Sequence, residues 1–499
     1  MIELRAYQLD VVDRIEQALG ERRKVLLVAP TGSGKTVVAA EIINRAVAKY
    51  QTALFLAHRR EIITQTSAKL MITGVRHGII MAGIEPRPME SVQVESIDTL
   101  HVRGVRSNAM PLPPADLLIF DEAHRARGRT REQLIALYPN AALLGMTATP
   151  CRGDGRGLGN IFDTMIECPQ VAELIVGGFL VKSRLYAPVD PDLRGVRTQQ
   201  GDYVVGQLQR RMNTDALVGD IVEHWLKYGE WRRTVCFAVG VEHSVHIRNE
   251  FVQAGVRAEH LDGTTPIVER EAILAQLASG ETEVVTNCMV LTEGWDMPAV
   301  GCCILARPTK QMGLYRQMIG RVLRPDNDKP GAVILDHSGA VYRHGLPEDH
   351  VEWTLAVDRR AVSPAQQKRE RGEAPKLREC PSCKAVMVAP PCSACGWQPQ
   401  PRGHAIDFED GELGLVDGGN AKAPVYSETD RISFFQQLRS VQQTRGYKRG
   451  WAAHKFKDKF GTFPPWAYDQ LPPAIPIDAV LRWVRSRNIA YAKATRGAA

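Results

Sequence analysis

Residues 29–36 read Ala-Pro-Thr-Gly-Ser-Gly-Lys-Thr and follow the apolar run 25–28. This is the G-x-x-x-x-G-K-[ST] spacing, with alanine at the first glycine. A strand must deliver the chain to the loop, and a helix must leave it. That requirement predicts an α/β unit and a bound nucleoside triphosphate. Gly32 and Gly34 let the backbone curl, so N–H groups of the Thr31-Gly32-Ser33-Gly34 turn face phosphate oxygens. Lys35 reaches the β- and γ-phosphates, and the Thr36 hydroxyl holds Mg²⁺. The helix that begins there adds its positive end. An ordinary Gly-Ser-Gly turn is the bland alternative, and the flanking strand and helix argue against it.

A second apolar run, 117–120, ends in Asp121-Glu122-Ala123-His124. Two carboxylates at a strand end suit the metal and water half of a phosphoryl-transfer site. Asp121 would hold Mg²⁺ through water, and Glu122 would orient or deprotonate the attacking water.

From these two motifs outward the chain resembles superfamily 2 helicases of the DEAD/DEAH-box type, over residues 1 to about 345. Arg5, Tyr7 and Gln8 resemble the adenine-reading Q motif, without the longer aromatic lead-in of the RNA helicases. Residues 29–36 match motif I, 55–61 motif Ia, 96–100 motif Ib, and 121–124 motif II, spelled DEAH. Thr147-Ala148-Thr149-Pro150 matches motif III, 235–240 falls at motif IV, and Thr286-Asn287 with Glu293-Gly294-Trp295-Asp296 matches motif V. Gln317 to Arg324 matches motif VI. The resemblance implies two RecA-like domains sharing one ATP. Gln317, Arg321 and Arg324 come from the second domain, with Arg324 as the arginine finger and Arg321 as a further γ-phosphate contact. Gly294, Asp296, Thr147 and Thr149 are implied to couple phosphate state to the bound strand. The spacing of three predicts Arg321 and Arg324 on one helix face.

Strand and helix signals alternate from residue 24 and restart after about 180, so each half predicts a parallel sheet covered by helices. Strands are expected at 25–28, 52–57, 117–120 and 141–145, then at 234–238, 283–286, 300–305 and 332–335. Helices are expected at 36–49, 60–70, 241–253, 266–278 and 309–321. The expected domains are 1–178 and 179–358, both RecA-like, a zinc ribbon at 379–398 and a basic helical domain at 428–499. Segment 151–160 reads as a flexible glycine-rich loop, with a coupling role open by resemblance to related helicases, 187–206 as a domain linker or an irregular insertion, and 402–430 as an acidic tether.

The chain has 499 residues, too many for one core. No apolar run reaches the ~18 residues that span a bilayer, and the first residues do not read as a signal peptide. A cytoplasmic protein without structural disulfides is expected. The net charge of +7 is uneven: residues 431–499 carry 13 Lys+Arg and 3 Asp+Glu, leaving −3 for the other 430. The pull on a polyanion is concentrated in the tail.

Cys380-Pro-Ser-Cys383 and Cys392-Ser-Ala-Cys395 form two C-x-x-C knuckles that can close a tetrahedral Zn²⁺ site. Free thiols or a redox pair are the alternatives. A segment this short cannot build a core, so metal would hold it together. Such a ribbon after two motor domains resembles RadD-like and phage-encoded helicases. The tail interleaves Lys448, Arg449, Lys455, Lys457 and Lys459 with Trp451, Phe456, Phe460, Phe463, Trp466 and Trp483. That pattern suits phosphate contact with base stacking, and it equally suits the core of a small domain.

The reading that results is an ATP-dependent DNA helicase or translocase in phage or bacterial replication, recombination or repair. Nucleic acid is the partner, with DNA favoured and RNA open, together with replication or repair proteins and no membrane. An RNA helicase and the motor subunit of a restriction system are the alternatives, although the last third shows no nuclease carboxylate-lysine cluster. A non-catalytic scaffold conflicts with intact Lys35, Thr36, Asp121, Glu122, Arg321 and Arg324.

Overall fold

In the computed structural model the described residues are 3–21, 24–87, 89–125, 129–151, 155–187, 191–327, 329–358, 363–373, 376–399 and 426–496. They form two compact units, 1–401 and 402–499.

The first unit contains two large parallel sheets. The first has strands β1 (Lys24–Val28), β2 (Ala53–Ala57), β3 (Gly78–Ile80), β4 (Val92–Ser96), β5 (Leu117–Asp121), β6 (Ala142–Thr147) and β7 (Thr164–Glu167). Their order is β3-β4-β2-β5-β6-β1-β7, with every ladder parallel. β2 and β5 are buried along their whole length, the pattern of strands covered on both faces. β1 and β5 flank β6, so the phosphate loop, the Asp121 carboxylate and Thr147 leave the same carboxyl edge.

The second sheet begins with β8 (Ser183–Tyr186). After a short hairpin, β9 (Thr198–Gln199) and β10 (Asp202–Tyr203), it continues with β11 (Thr234–Phe237), β12 (Ala258–Leu261), β13 (Val284–Asn287), β14 (Cys302–Leu305) and β15 (Ala332–Asp336). Its order is β12-β13-β11-β14-β15-β8, again parallel throughout. We call the two halves lobe 1 and lobe 2. Cys236, Cys302 and Cys303 are buried in lobe 2 strands, as small hydrophobes.

Several expectations need correction. The helix expected at 309–321 runs only Met312–Ile319. Gly320 ends it against lobe 1, where an added Cβ would meet Thr31 Cβ at 2.5 Å. Arg321 and Arg324 therefore lie in the following turns, before Pro325, and not on a helix face. Segment 187–206 contains the β9–β10 hairpin, and 188–190 lie outside the described residues. Segment 151–160 is pinned where it is described: the Gly157 and Gly159 N–H groups donate to Ala356 and Leu355 carbonyls at 3.1 and 2.7 Å. Residues 152–154 lie outside the described residues, as does the acidic stretch 402–425.

The chain thus returns to lobe 1 after completing lobe 2. Trp353 and Leu355 pack on the core beneath β5 and β6, and Gln170 bonds both ways with the Val351 backbone at 2.8 and 2.9 Å. The strap 351–356 ties the lobes together from outside the sheets.

Residues 376–399 form the β16 (Arg378–Glu379) and β17 (Val386–Met387) hairpin with the four cysteines. This ribbon is not free-standing: Val386 and Ala385 belong to the two core layers of lobe 2.

Candidate active site

Each glycine of the phosphate loop has a steric reason. Gly34 stands at φ 87°, and a Cβ there would lie 2.4 Å from Gln8 Nε2. Gly32, at φ 90°, lies under Arg324, whose Cγ would be 3.1 Å from an added Cβ. Gln8 is buried, donates to the Ser33 carbonyl at 3.0 Å and accepts from the Arg5 N–H at 3.0 Å. Tyr7 donates to the same Ser33 carbonyl at 2.6 Å. Arg5 lies 4.7 Å over the Phe179 ring, at the junction with lobe 2. The Q-like residues therefore hold the loop shape as well as flanking it.

Lys35 donates to the Ala29 carbonyl at 3.3 Å and lies near Asp121 and Glu122. Glu122 has φ 48°, a left-handed conformation for a non-glycine residue, which costs roughly 1–3 kcal/mol and clusters at functional sites. His124 Nδ1 lies 3.3 Å from a Glu122 oxygen and 3.1 Å from the Thr147 hydroxyl. Thr147 in turn bonds the Thr149 backbone. Thr149 meets Gly313 of lobe 2, where an added Cβ would lie 3.0 Å away.

Lobe 2 closes the site. Arg324 pairs with Asp296. Arg321 is buried and grips the Thr292 and Trp295 carbonyls at 2.7–3.1 Å, facing Glu122 and Glu293. Gln317 is buried on the preceding helix. Burial lowers both guanidinium groups to about 10, so each stays charged at neutral pH.

Contacts between distant segments complete the cleft. His58 Nε2 lies 2.9 Å from Glu293 Oε2, and Arg59 donates to the Val290 and Met289 carbonyls at 2.8 and 3.2 Å. Gln65 donates to the Gly294 carbonyl at 3.1 Å, and Arg270 pairs with Glu61 at 3.2 Å. His58 and Arg59 fall in the stretch resembling motif Ia and Glu293 in that resembling motif V, but none of them, nor Gln65 or Arg270, was assigned a site role. Their partners lie more than 200 positions away, a separation at which local patterning does not show the pairing.

The family described as the type III restriction enzyme res subunit matches residues 1–152, and the helicase conserved C-terminal domain matches residues 217–326. Together they cover the two halves of the cleft. The chain is a superfamily 2 helicase. A 51.5 kDa protein of a Lactococcus phage (isolate 7-9) is 29% identical over 430 residues, covering 84% of this chain and 88% of the relative. The Saccharomyces cerevisiae protein named as the ATP-dependent helicase IRC3 is 29% identical over 68% of this chain. The match spans about half of the yeast protein, 52% of its length. Among solved structures, a fragment described as an HsdR subunit of a type I restriction enzyme from Vibrio vulnificus YJ016 aligns with TM-score 0.55 and 22% identity. That alignment covers 68% of this chain and 65% of the other, a likeness of fold.

A helicase of this family hydrolyses ATP with Mg²⁺. The residues present fit that ligand. Among the described residues Asp121 Oδ1 is buried without a hydrogen-bond donor and Glu122 Oε2 has only His124 Nδ1 beside it, at 3.3 Å, an arrangement a divalent cation relieves. Burial, and then the neighbouring Glu122 charge, push the Asp121 carboxyl up. Burial also pushes Glu122 up, but the His124 contact and Lys35 outweigh it and hold that carboxyl below its ordinary value.

The helicase carries a second donor set. The sulfurs of Cys380, Cys383, Cys392 and Cys395 all lie within 4.8 Å of one another, with the 380–395 and 383–392 pairs at 3.8 Å. A tetrahedron with Zn–S bonds of ~2.3 Å has edges of ~3.8 Å, so the set is compatible with zinc. No described helix is long and apolar enough to cross a membrane.

Proposed function

We propose that this helicase is an ATP-driven DNA translocase or helicase of phage or bacterial replication, recombination or repair. The carrying observation is the seating of Arg324, from lobe 2, over Gly32 of the phosphate loop. One nucleotide would then be gripped from both sides. ATP supplies the phosphoryl group whose loss releases the grip. Thr31 to Gly34 cradle the phosphates, Lys35 neutralises them, and Thr36 with Asp121 hold Mg²⁺. Arg5 and Gln8 flank the base. Glu122 takes the proton of the attacking water. Gln317, Arg321 and Arg324 meet the charge that develops on the γ-phosphoryl. Gly294 and Asp296 carry the resulting motion to the strand-binding face.

The domain division 1–178, 179–358, 379–398 and 428–499 is part of this proposal, as is Zn²⁺ held by Cys380, Cys383, Cys392 and Cys395. The phage relative, matched over 84% of this chain, supports the phage or bacterial setting, and a Sulfurisphaera tokodaii relative named as a DNA 3'-5' translocase, XPB2, 26% identical over 67% of this chain, supports DNA. The match to a restriction-enzyme family supports the second reading, a motor subunit of a restriction system. The test is ATP hydrolysis with single-stranded DNA, duplex, forked DNA and RNA in parallel. Stimulation by DNA above RNA supports the proposal. Stimulation by RNA alone refutes it, and turnover that depends on a co-purifying methylase or nuclease supports the second reading.

A further inference from the structure

The second unit settles where most of the tail aromatics go. Helices Glu428–Thr444, Trp451–Phe460 and Asp478–Arg496 pack around Phe434, Phe435, Leu438, Val441, Phe456 and Val484. Trp451, Phe460 and Trp483 lie against that core. Lys459 is spent inside too: its ammonium is 4.1 Å from the Phe434 ring centroid and within 6 Å of Tyr426, Phe460 and Trp483. The interleaving of cation and aromatic seen in the sequence is therefore largely packing.

Among the described residues, two rings stand most clearly outside that core. Trp466 is 89% exposed and Phe463 51%, on either side of Pro464-Pro465. Burying them would have been favourable by about 1.5–3 kcal/mol for a large apolar side chain, yet the fold leaves Phe463 exposed before the two prolines and Trp466 exposed at the start of the short helix Trp466–Gln470. The Phe463 ring has the Lys457 ammonium 4.6 Å from its centroid and the His454 ring edge-on at 5.4 Å. Lys448 and Arg449, in the turn that precedes the helix Trp451–Phe460, are exposed.

We propose that Phe463 and Trp466 form a stacking platform for the bases of a single-stranded nucleic acid, with Lys448, Arg449 and Lys457 on its phosphates. Charge complementarity selects this occupant. The segment 431–499 carries +10, against −3 for the rest of the chain, which favours a polyanion over an apolar protein face. Pro464 and Pro465 restrict the backbone between the two rings, which lowers the conformational cost of presenting both to one strand. The platform belongs wholly to the second unit, and its failure would leave the motor reading untouched.

The test uses the full-length chain carrying Phe463→Ala and Trp466→Ala together, without nucleotide. The probes are a labelled oligo-dT and an abasic oligonucleotide of equal length. Base–aromatic stacking predicts roughly tenfold weaker binding of oligo-dT, and little change for the abasic strand. Lys448→Ala with Lys457→Ala should weaken both strands and flatten the salt dependence. Equal oligo-dT affinity in the double-alanine variant and the parent would overturn the proposal. An equal loss on the abasic strand would overturn it too, since the rings would then not be reading bases.

Discussion

His58 of lobe 1 and Glu293 of lobe 2 meet at 2.9 Å across the cleft, with Glu293 almost wholly buried. The Glu293 carboxylate also lies within 4.8 Å of the ligand atoms of Glu122 and His124. One side chain therefore bonds the segment resembling motif Ia and lies beside Glu122, the residue proposed to handle the attacking water. Glu293→Gln keeps the shape and removes the charge. Nucleic-acid-stimulated kcat for ATP should fall about tenfold, or ~1.4 kcal/mol of barrier, with KM for ATP within about twofold. Steady-state kinetics checks this. An increase in KM at unchanged kcat would make the residue a ground-state support only.

The strap 351–356 should set how readily the lobes part. An added Cβ at Gly159 would lie 2.5 Å from the Leu355 carbonyl oxygen, so Gly159→Ala displaces the strap. Nucleotide affinity should drop about three- to tenfold, because fewer molecules hold the closed cleft. Titration with a fluorescent ATP analogue reads it. The same affinity in the variant would show that the strap is passive.

Glu95 on β4 makes stability depend on pH. It is fully buried, neither carboxylate oxygen has a hydrogen-bond partner among the described residues, and burial raises it to about 8. The native state keeps its proton while the unfolded chain releases it above about 4.5. The unfolded state therefore binds fewer protons between those values, and stability falls as pH rises from about 4.5 to 8. Glu95→Gln, permanently neutral, should melt at nearly the same temperature as the parent at pH 5. It should melt several degrees higher at pH 8, at about 2–4 °C per kcal/mol. A constant difference across that range would contradict the assignment.

The cysteine ribbon should be worth stability to lobe 2, because Ala385 and Val386 are part of its core. Metal analysis of purified protein should find about one zinc per chain. Chelation, or Cys392→Ser, should lower the melting temperature of the first unit. Zinc-free protein with an unchanged melting curve would remove the metal from the account.

Much of this was legible in the sequence, for a physical reason. Central parallel strands are short apolar runs, so β1, β2, β5, β11 and β15 stood out. Edge strands such as β3 and β8 are too short and too mixed in composition to do so. The phosphate loop and the Asp121-Glu122 pair carry their chemistry within a few consecutive residues. Arg321 and Arg324 were legible by resemblance, but their backbone was not. Position 320 carries glycine because Thr31, nearly 300 positions earlier, leaves no room for a side chain. The tail's aromatic content suited base contact and a small core equally, and burial claimed most of those rings.

The central claim is that two lobes share one nucleotide and that Arg324 completes the site. ATP hydrolysis by Arg324→Ala, measured at saturating nucleic acid alongside binding of a non-hydrolysable ATP analogue, tests it most directly. The account predicts a loss of turnover of about 10³-fold or more, as for an arginine finger, with the analogue still bound through lobe 1. Turnover equal to that of the parent would contradict it.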